Sequence, residues 1–365
     1  MKNPLLFYLF SDKIGLLPVF RGHLFSFRRI KMEQKTPHLR KRKGGSAGNV
    51  CPHQNMPACF LPEGKKWNTE QNKRFLSDIK WLQQAAAANE ILEAVAVSCN
   101  ASHDLILDLF GIRGIIPREE GALGIREGLL RDIALIARTG KHVAFCVERI
   151  DFDALGNPTV ICSRRKAQER CKTEYLSLLT PGDVLPARVT HLEPFGAFLD
   201  IGCGIHALLP IDCISTSRIS HPAQRLKKGQ DVFVLLRQID EKGRFLLTMK
   251  ELLGSWEENA ACFSVGDTVC GRVRSKEDYG VFIELTPNLT GLAEKKGEVE
   301  PGMLATVYIK SILPEKMKIK LVLVDSFFAE VNDLPPLRFF QTAGHMDSFL
   351  YSPACCSKRV ETVFL

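Results

Sequence analysis

The chain has 365 residues, 45% of them hydrophobic and 25% charged, a composition typical of about two to four globular domains. It contains no run of about 18 apolar residues, which argues against a membrane-spanning helix. The formal net charge of +8 is concentrated at one end: residues 1–80 hold 16 Lys and Arg against 5 Asp and Glu, and the remainder holds 33 against 36. Global charge therefore does not argue that the folded part binds nucleic acid.

Residues 1–67 carry Pro, Gly and basic clusters without sustained periodicity, and we predict a disordered basic tail. The run Arg40–Lys43 is typical of a solvated charge cluster; the alternative is a weak electrostatic arm for RNA. The short apolar stretch Leu5–Phe10 lacks a small-residue cleavage site, so we expect no working signal peptide. A further interpretation is that translation begins at Met32.

The twelve Cys residues are scattered, and several fall on apolar strand patterns. This usage favours a reducing compartment over a disulfide framework, and we predict a cytoplasmic protein. The best metal candidate combines Cys51, His53 and Cys59, with His38 as a fourth ligand. Its spacing matches no standard zinc pattern, so we predict neither a metal nor a cofactor.

Residues 68–175 are predicted to form a helix followed by a first β-rich repeat. Asn68 or Thr69 can cap the helix, which has apolar residues at spacings of three and four as far as Ala86. A helix is also predicted over residues 125–136, and a helical connector from Ser163 to Leu179. Strands are predicted near residues 91–97, 105–109, 114–117, 141–147 and 159–163.

The same plan recurs twice downstream. Gly-Asp signals at Gly182 and Gly266 start two segments at an offset of 84 residues, the offset that also separates Phe195 from Tyr279. Within residues 180–250, strands are predicted at 184–192, 195–201, 207–210, 231–236 and 245–250, with a hairpin turn at 240–244. Residues 264–324 give the plan a third time.

Five strands with a helix or turn after the third, in about 70 residues, predict a five-stranded OB barrel. The fold class is therefore all-β: three tandem OB-fold barrels with helical connectors and a disordered N-terminal tail. The predicted boundaries are 1–67 for the tail, 68–175, 178–252 and 262–325 for the repeats, and 326–365 for a C-terminal tail that packs partly on a domain. Gly196 and Gly280, inside strand patterns, are the expected sites of bends or bulges.

Exposed aromatics on an OB face can stack on the bases of single-stranded RNA. Phe195 and Phe198 are three residues apart, so in a regular strand they would point to opposite faces. They share a face only if Gly196 breaks the alternation. Periodicity alone leaves open that Phe198 belongs to the core.

Residues 180–250 resemble the RNA-binding repeat of bacterial ribosomal protein S-one. The resemblance rests on an ordered string of matches: Gly182-Asp183-Val184, Val189, Phe195-Gly196-Ala197-Phe198, Leu208, Gly229, Val234, Asp240, Gly243-Arg244 and Met249-Lys250. Residues 264–324 and 90–175 match more loosely. The resemblance implies an RNA face made of two aromatics, a His after the third strand, and an Asp and an Arg in the last hairpin.

Residue by residue, the implied RNA contacts in the middle repeat are Phe195, Phe198, Asp240 and Arg244, with Pro210 at the His position. In the last repeat they are Tyr279, Phe282 and Lys318, with Glu294 at the His position and Pro314 at the Asp position; Lys316 and Lys320 add positive charge. The first repeat has Ser102 and Leu105 at the aromatic positions and Pro117 at the His position. It therefore lacks a stacking platform there, and the resemblance suggests a role in docking to the ribosome.

The sequence is compatible with three classes of function, which differ in their support. The first is a non-catalytic protein that binds single-stranded RNA, either mRNA or RNA on the small ribosomal subunit, in translation. The second is a protein–protein adaptor whose barrels have lost RNA binding, as Pro210 and Glu294 would allow. The third, an enzyme, has little support, because Asp151 and Asp153 lie in a turn and the segment Gly121–Gly124 lacks the spacing of a phosphate loop.

Overall fold

The computed structural model describes residues 60–295, 297–328 and 336–364, all within one structural unit that spans residues 51–365. These residues form three closed five-stranded barrels in succession, each followed by a short helical connection or a C-terminal segment. The all-β prediction of tandem OB-like barrels is confirmed. Residues 1–59 of the predicted disordered tail, the start at Met32 and the Cys51–His53–Cys59 candidate lie outside the described residues. The disorder predicted for residues 60–67 is wrong, because Phe60, Glu63 and Lys66 are buried against the fold.

The first predicted helix is two helices, α1 (Glu70–Leu76) and α2 (Ile79–Ala87). Thr69 caps α1, since its hydroxyl accepts the Asn72 N–H at 3.2 Å. Asp78 then caps α2 by accepting the Lys80 N–H at 2.9 Å. Because an N-cap residue takes an extended backbone, the chain turns at Asp78 and starts a second helix, although the apolar spacing continues across the break.

Barrel 1 contains β1 (Ile91–Cys99), β2 (Leu105–Leu109), β3 (Ile112–Ile116), β4 (His142–Phe152) and β5 (Pro158–Ser163). Between β3 and β4 the helix predicted over residues 125–136 is confined to α3 (Ile133–Ile136). Gly124 and Gly128 both have positive φ, at 91° and 69°, which a helix cannot accommodate. The prediction of a helix from residue 125 is therefore wrong for most of its length.

Barrel 2 contains β6 (Val184–Glu193), β7 (Gly196–Asp200), β8 (His206–Pro210), β9 (Asp231–Ile239) and β10 (Phe245–Thr248). Barrel 3 follows the short helix α5 (Trp256–Ala260) and contains β11 (Thr268–Glu277), β12 (Gly280–Thr286), β13 (Leu289–Ala293), β14 (Leu304–Leu313) and β15 (Lys318–Phe327). In each barrel the third strand pairs in parallel with the fifth, and this pairing closes the sheet. Alternate residues fill the interior, as Leu199, Leu209, Val234 and Leu247 do in barrel 2.

The fourth strand of each barrel carries a bulge, and so does the first. The register shifts between Ala96 and Ser98, between Val189 and His191, and between Val273 and Ser275. Gly196 and Gly280 instead open the second strand and face its neighbour closely: a Cβ on Gly196 would lie 2.5 Å from the Leu209 carbonyl oxygen. The prediction of bulges at these glycines is wrong, because their role is to permit close approach of the third strand.

Helix α4 (Arg164–Glu174) joins barrels 1 and 2. Arg164 is 2% exposed, and its Nε donates to Glu63 Oε1 at 2.7 Å. Gln168 reaches across to barrel 2, where its Nε2 donates to the Cys203 carbonyl at 3.2 Å. The connector is therefore packed into the contact between the two barrels.

Barrels 2 and 3 meet through buried polar side chains. Glu284 of β12 accepts hydrogen bonds from Arg225 of barrel 2 and from Arg274 of barrel 3, the latter at 2.6 Å. Asn288 accepts the Thr216 N–H at 3.0 Å and donates to the Lys250 carbonyl at 2.7 Å. These bonds join the two barrels directly, without an extended linker.

The described C-terminal residues, 336–364, run back over barrel 2 and contain the strand pair β16 (Ser348–Leu350) and β17 (Glu361–Val363). Phe339 packs edge-on against Phe233, with ring centroids 5.5 Å apart. His345 Nδ1 lies 2.7 Å from Asp183 Oδ1, and Tyr351 donates to the Asn288 carbonyl at 2.6 Å. The C-terminal segment thus contacts both barrels.

Candidate nucleic-acid interface

Phe195 and Phe198 form one aromatic pair on the outside of barrel 2. Phe195 lies in the two-residue turn between β6 and β7, where strand alternation does not apply, and Phe198 is the third residue of β7. Their ring centroids are 6.1 Å apart and their planes are at 88°. Phe195 is 56% exposed and Phe198 is half-buried. The alternative that Phe198 belongs to the core is wrong.

An apolar row extends this pair across the sheet. Phe198 lies opposite Leu208 of β8, which lies opposite Leu246 of β10, and all three side chains are half-buried. We call Phe195, Phe198, Leu208 and Leu246 the platform. Its two leucines were not predicted as site residues, because their cross-strand register cannot be obtained from the sequence of either strand alone.

Pro210 stands at the edge of the platform, paired with Gly196 at the end of β8. Proline has no side-chain donor, so this position offers RNA an apolar surface only. His191 is the opposite neighbour of Phe198 on β6, and its Nε2 lies 2.6 Å from Glu193 Oε1. It is an exposed imidazole beside the platform that the sequence did not indicate.

Asp240 and Arg244 form the hairpin between β9 and β10, as predicted. Asp240 Oδ1 accepts the N–H groups of Lys242 and Arg244 at 2.9 and 2.8 Å, and its Oδ2 accepts from Arg244 Nε at 2.6 Å. The Arg244 backbone and side-chain bonds hold the pKa of Asp240 below its usual value. Asp240 therefore shapes the turn and orients Arg244, whose side chain is 72% exposed and extends into solvent.

Tyr279 and Phe282 repeat the geometry in barrel 3. Their ring centroids are again 6.1 Å apart with planes at 88°, and Tyr279 is 69% exposed. Phe282 lies opposite Leu292, which lies opposite Lys320. Lys318 lies two residues from Lys320 and is also exposed, so both side chains point away from the core.

Charge distinguishes this second pair from the first. Glu294, at the end of β13, is exposed, and it stands at the position of Pro210. A carboxylate there repels phosphate, whereas Lys318 and Lys320 attract it. The geometry of barrel 3 is thus that of barrel 2 with a mixed electrostatic surface.

Barrel 1 has no aromatic pair at the corresponding positions: Leu105 is fully buried, and Ser102 lies in the turn before β2. It does carry a stacked pair elsewhere. Trp67 and Phe110 have ring centroids 5.6 Å apart with planes at 6°. Phe110 is 53% exposed and has a φ of +54°, a left-handed conformation unusual for a bulky residue. This pair could not be predicted from the sequence, because its members are far apart in the chain.

The residues considered for catalysis have structural partners. Asp153 Oδ1 accepts the N–H groups of Leu155 and Asn157, both at 2.8 Å, and so shapes the turn between β4 and β5. Asp151 pairs with Arg149 at 3.0 Å on the same exposed strand end.

The described residues hold neither a candidate metal site nor a candidate membrane-spanning helix. They contain no group of three or more His, Cys, Asp and Glu side chains suited to a metal ion. None of their helices has the length and apolar character needed to cross a membrane.

Of the cysteines on predicted strands, Cys146, Cys162 and Cys203 are buried free thiols, whereas Cys270 is exposed.

Closed five-stranded barrels with paired outward aromatics define a protein built from OB-type repeats. Among known protein families, the S1 RNA binding domain matches residues 178–250, which form the middle repeat. This match covers the platform, Asp240 and Arg244.

Curated relatives extend the similarity beyond barrel 2. Small ribosomal subunit protein bS1 of Staphylococcus aureus strain COL is 30% identical over 73% of this chain and 68% of its own length. The bS1 protein of Leuconostoc lactis is 31% identical over 60% of this chain and 50% of its own length. A bS1 homolog of Bacillus subtilis is 31% identical over 59% of this chain and 56% of its own length. The chain belongs to the bS1 family, and it spans about half to two thirds of the length of these relatives.

Among solved structures, a multidomain protein with nucleic acid binding domains from Streptococcus pneumoniae is 14% identical and covers 67% of this chain and 76% of its own. Its TM-score is 0.22, which is too low to support a structural comparison of the site.

Proposed function

We propose that this chain is a non-catalytic, cytoplasmic protein that binds single-stranded RNA, in particular mRNA, and works with the small ribosomal subunit in translation. The observation that carries the proposal is the platform of barrel 2, an exposed edge-to-face aromatic pair within the segment that matches an RNA-binding domain. Bases stack on such side chains with about 1–3 kcal/mol each, whatever their identity.

The platform is supported by few charges, so we expect modest, sequence-tolerant affinity. Arg244 is an exposed cation of the last hairpin in barrel 2, and Asp240 orients it. With about three phosphates neutralised, log K should fall with log salt at a slope near −2. The second pair, Tyr279 and Phe282, adds a weaker contact on the same chain and raises the effective concentration for longer RNA.

The double substitution Phe195→Ala and Phe198→Ala tests the proposal. It should weaken binding of a uridine oligomer by at least about tenfold, because two stacking surfaces are lost. Neither side chain belongs to the core of barrel 2, so the thermal unfolding midpoint should hardly change. Affinity is measured by fluorescence anisotropy at low salt.

The matched control is Phe327→Ala with Phe328→Ala, which removes two exposed phenylalanines from barrel 3 at the end of β15, away from both aromatic pairs. This control should bind as the unmodified chain does. Equal affinities for the platform variant and the control would refute the assignment of the face. Absence of binding by the unmodified chain at low salt would favour the adaptor instead.

A further inference from the structure

A cleft of about 470 Å³ opens between barrels 1 and 2 beside the platform. Four basic side chains line it: Arg138 and Lys141 from barrel 1, and Arg188 and Lys228 from barrel 2. Lys141 and Lys228 are exposed, and among the described residues no carboxylate forms an ion pair with either. The cleft therefore presents lysine charges to solvent that the surrounding fold does not neutralise.

The acidic groups near the cleft are already engaged. Glu63 pairs with the buried Arg164 at 2.7 Å and with Arg138 at 3.2 Å; burial opposes ionisation, but these two cations hold its pKa below the usual value. Asp200 accepts the N–H groups of Glu63, Gly202 and Gly204 at 2.7 to 3.0 Å. Burial, and then the charge of Glu63, raise the pKa of Asp200 to about 7.

The cations also act on one another. Burial lowers the pKa of Lys141, and the neighbouring charges of Arg138 and Lys228 lower it further. The two arginines have carboxylate partners: Arg138 pairs with Glu63 at 3.2 Å, and Arg188 Nε donates to Asp231 at 2.8 Å. An anion that enters the cleft would relieve the mutual repulsion of these cations and would thereby be stabilised.

One end of the cleft is continuous with the platform. Phe198 belongs to the platform and also lines the cleft, and its cross-strand neighbour His191 lines the cleft beside it. Asp200 lies two residues further along β7, a step of about 6.6 Å, and its cross-strand partner on β6 is Arg188. A chain leaving Phe198 in this direction enters the cleft directly.

The other end leads to the stacked pair of barrel 1. His142 lines the cleft, and its ring centroid is 5.2 Å from that of Trp67. Trp67 in turn stacks on Phe110, which is exposed. A basic cleft with aromatic surfaces at both ends has the composition of a path for single-stranded nucleic acid, in which cations follow the backbone and rings take the bases.

We propose that this cleft carries the sugar-phosphate backbone of single-stranded RNA from the platform of barrel 2 to the Trp67–Phe110 pair of barrel 1. The proposal rests on the proposed function and gives barrel 1 a direct part in RNA binding. It also specifies the RNA: one long enough to leave the platform, rather than a fragment that covers the platform alone.

The test compares two uridine oligomers, of about 6 and about 16 nucleotides, on the full chain. Lys141→Gln with Lys228→Gln should weaken binding of the long oligomer by about tenfold at about 50 mM salt. The slope of log K against log salt should become shallower by about 1.4, since two phosphate contacts are lost. The short oligomer should change by less than about twofold. Phe110→Asn, which keeps a residue tolerant of positive φ, should likewise weaken only the long oligomer.

The matched control is Lys80→Gln with Lys172→Gln, which removes the same charge from exposed lysines on α2 and α4 that do not line the cleft. Equal affinity of the long oligomer for the cleft variant and this control would overturn the path while leaving the platform intact. Failure of the unmodified chain to bind either oligomer would instead refute the proposed function.

Discussion

At the scale of single residues, Gly196 permits the arrangement of the platform. A side chain here would meet the backbone of β8, since its Cβ would lie 2.5 Å from the Leu209 carbonyl oxygen. The glycine lets β7 begin against β8 immediately after the turn that holds Phe195. Phe195 therefore projects from the turn and Phe198 from the strand, and the two rings meet although three residues separate them.

Substitutions of the hairpin residues Asp240 and Arg244 should have different effects on RNA binding and on stability. Arg244→Gln should reduce the salt slope of RNA binding by about 0.7, because one phosphate contact is lost, and should leave the unfolding midpoint unchanged. Asp240→Ala should lower both the affinity and the midpoint, because it removes the acceptor for two turn N–H groups and frees Arg244. Paired salt titrations and thermal melts measure these effects.

In this comparison Lys242→Gln serves as the control, since it removes a charge from the same turn without disturbing Asp240 or Arg244. A slope that falls as much for Lys242→Gln as for Arg244→Gln would show that the hairpin acts only as a diffuse positive surface.

Sequence could identify these residues only in part. Phe195, Phe198, Asp240 and Arg244 were predicted because they form an ordered local string. Leu208 and Leu246 were not, since they reach the platform through the pairing of β7, β8 and β10. Trp67 and Phe110 were missed for the same reason, because the packing of barrel 1 brings them together from separate elements.

At the scale of elements, bulges on the first and fourth strands of each barrel supply bends that favour closure. The bulges near Val97, Thr190 and Arg274 fall at the same place in three sequences that share little at that position. A bulge increases local twist, and a small barrel needs strong coiling. Strand positions were predictable from alternation, but the bulge was not, because it depends on the pairing of two strands.

Helix α4 packs between barrels 1 and 2, and its buried Arg164 pairs with Glu63, whose N–H donates to Asp200 of barrel 2 at 2.7 Å. Arg164→Leu should lower the free energy of unfolding by about 3–5 kcal/mol, because Glu63 would remain buried without its closest partner. Chemical denaturation measured by far-UV circular dichroism gives the value. A loss below about 1 kcal/mol would mean that the pair contributes little to the contact between the barrels.

Arg149→Leu provides the comparison, since Arg149 pairs with Asp151 on an exposed strand end. Exposed pairs contribute about 0–1 kcal/mol, so this variant should unfold almost as the unmodified chain does. The contrast separates the burial of a charge from the general loss of an arginine.

At the scale of the whole molecule, the three barrels are unequal. Barrel 2 combines the platform with Arg244, and barrel 3 repeats the aromatic pair but places Glu294 beside it. Barrel 1 lacks the pair and has the Trp67–Phe110 stack at the far end of a basic cleft. The tandem architecture was predictable from the repeat at a fixed offset; the contacts between barrels, such as Arg225 with Glu284, were not, because they join residues of different repeats.

At this scale, the basic N-terminal residues are the alternative to the platform as the site of RNA contact. Residues 1–80 hold all of the net positive charge, since the remainder has 33 basic and 36 acidic residues, so they could attract RNA without any platform. Affinity measurements on the unmodified chain do not distinguish these modes, whereas the location of the contacts does. Bases stacked on an aromatic face lie against identifiable side chains, and bases held by a charged arm do not.

Photocrosslinking of a uridine oligomer to the full chain, followed by mass spectrometric mapping of the modified peptides, tests the central claim most directly. Stacking on the platform predicts crosslinks at Phe195 and Phe198, with weaker ones at Tyr279 and Phe282. Crosslinks confined to the run Arg40–Lys43, with none in the peptide that contains Phe195 and Phe198, would contradict it.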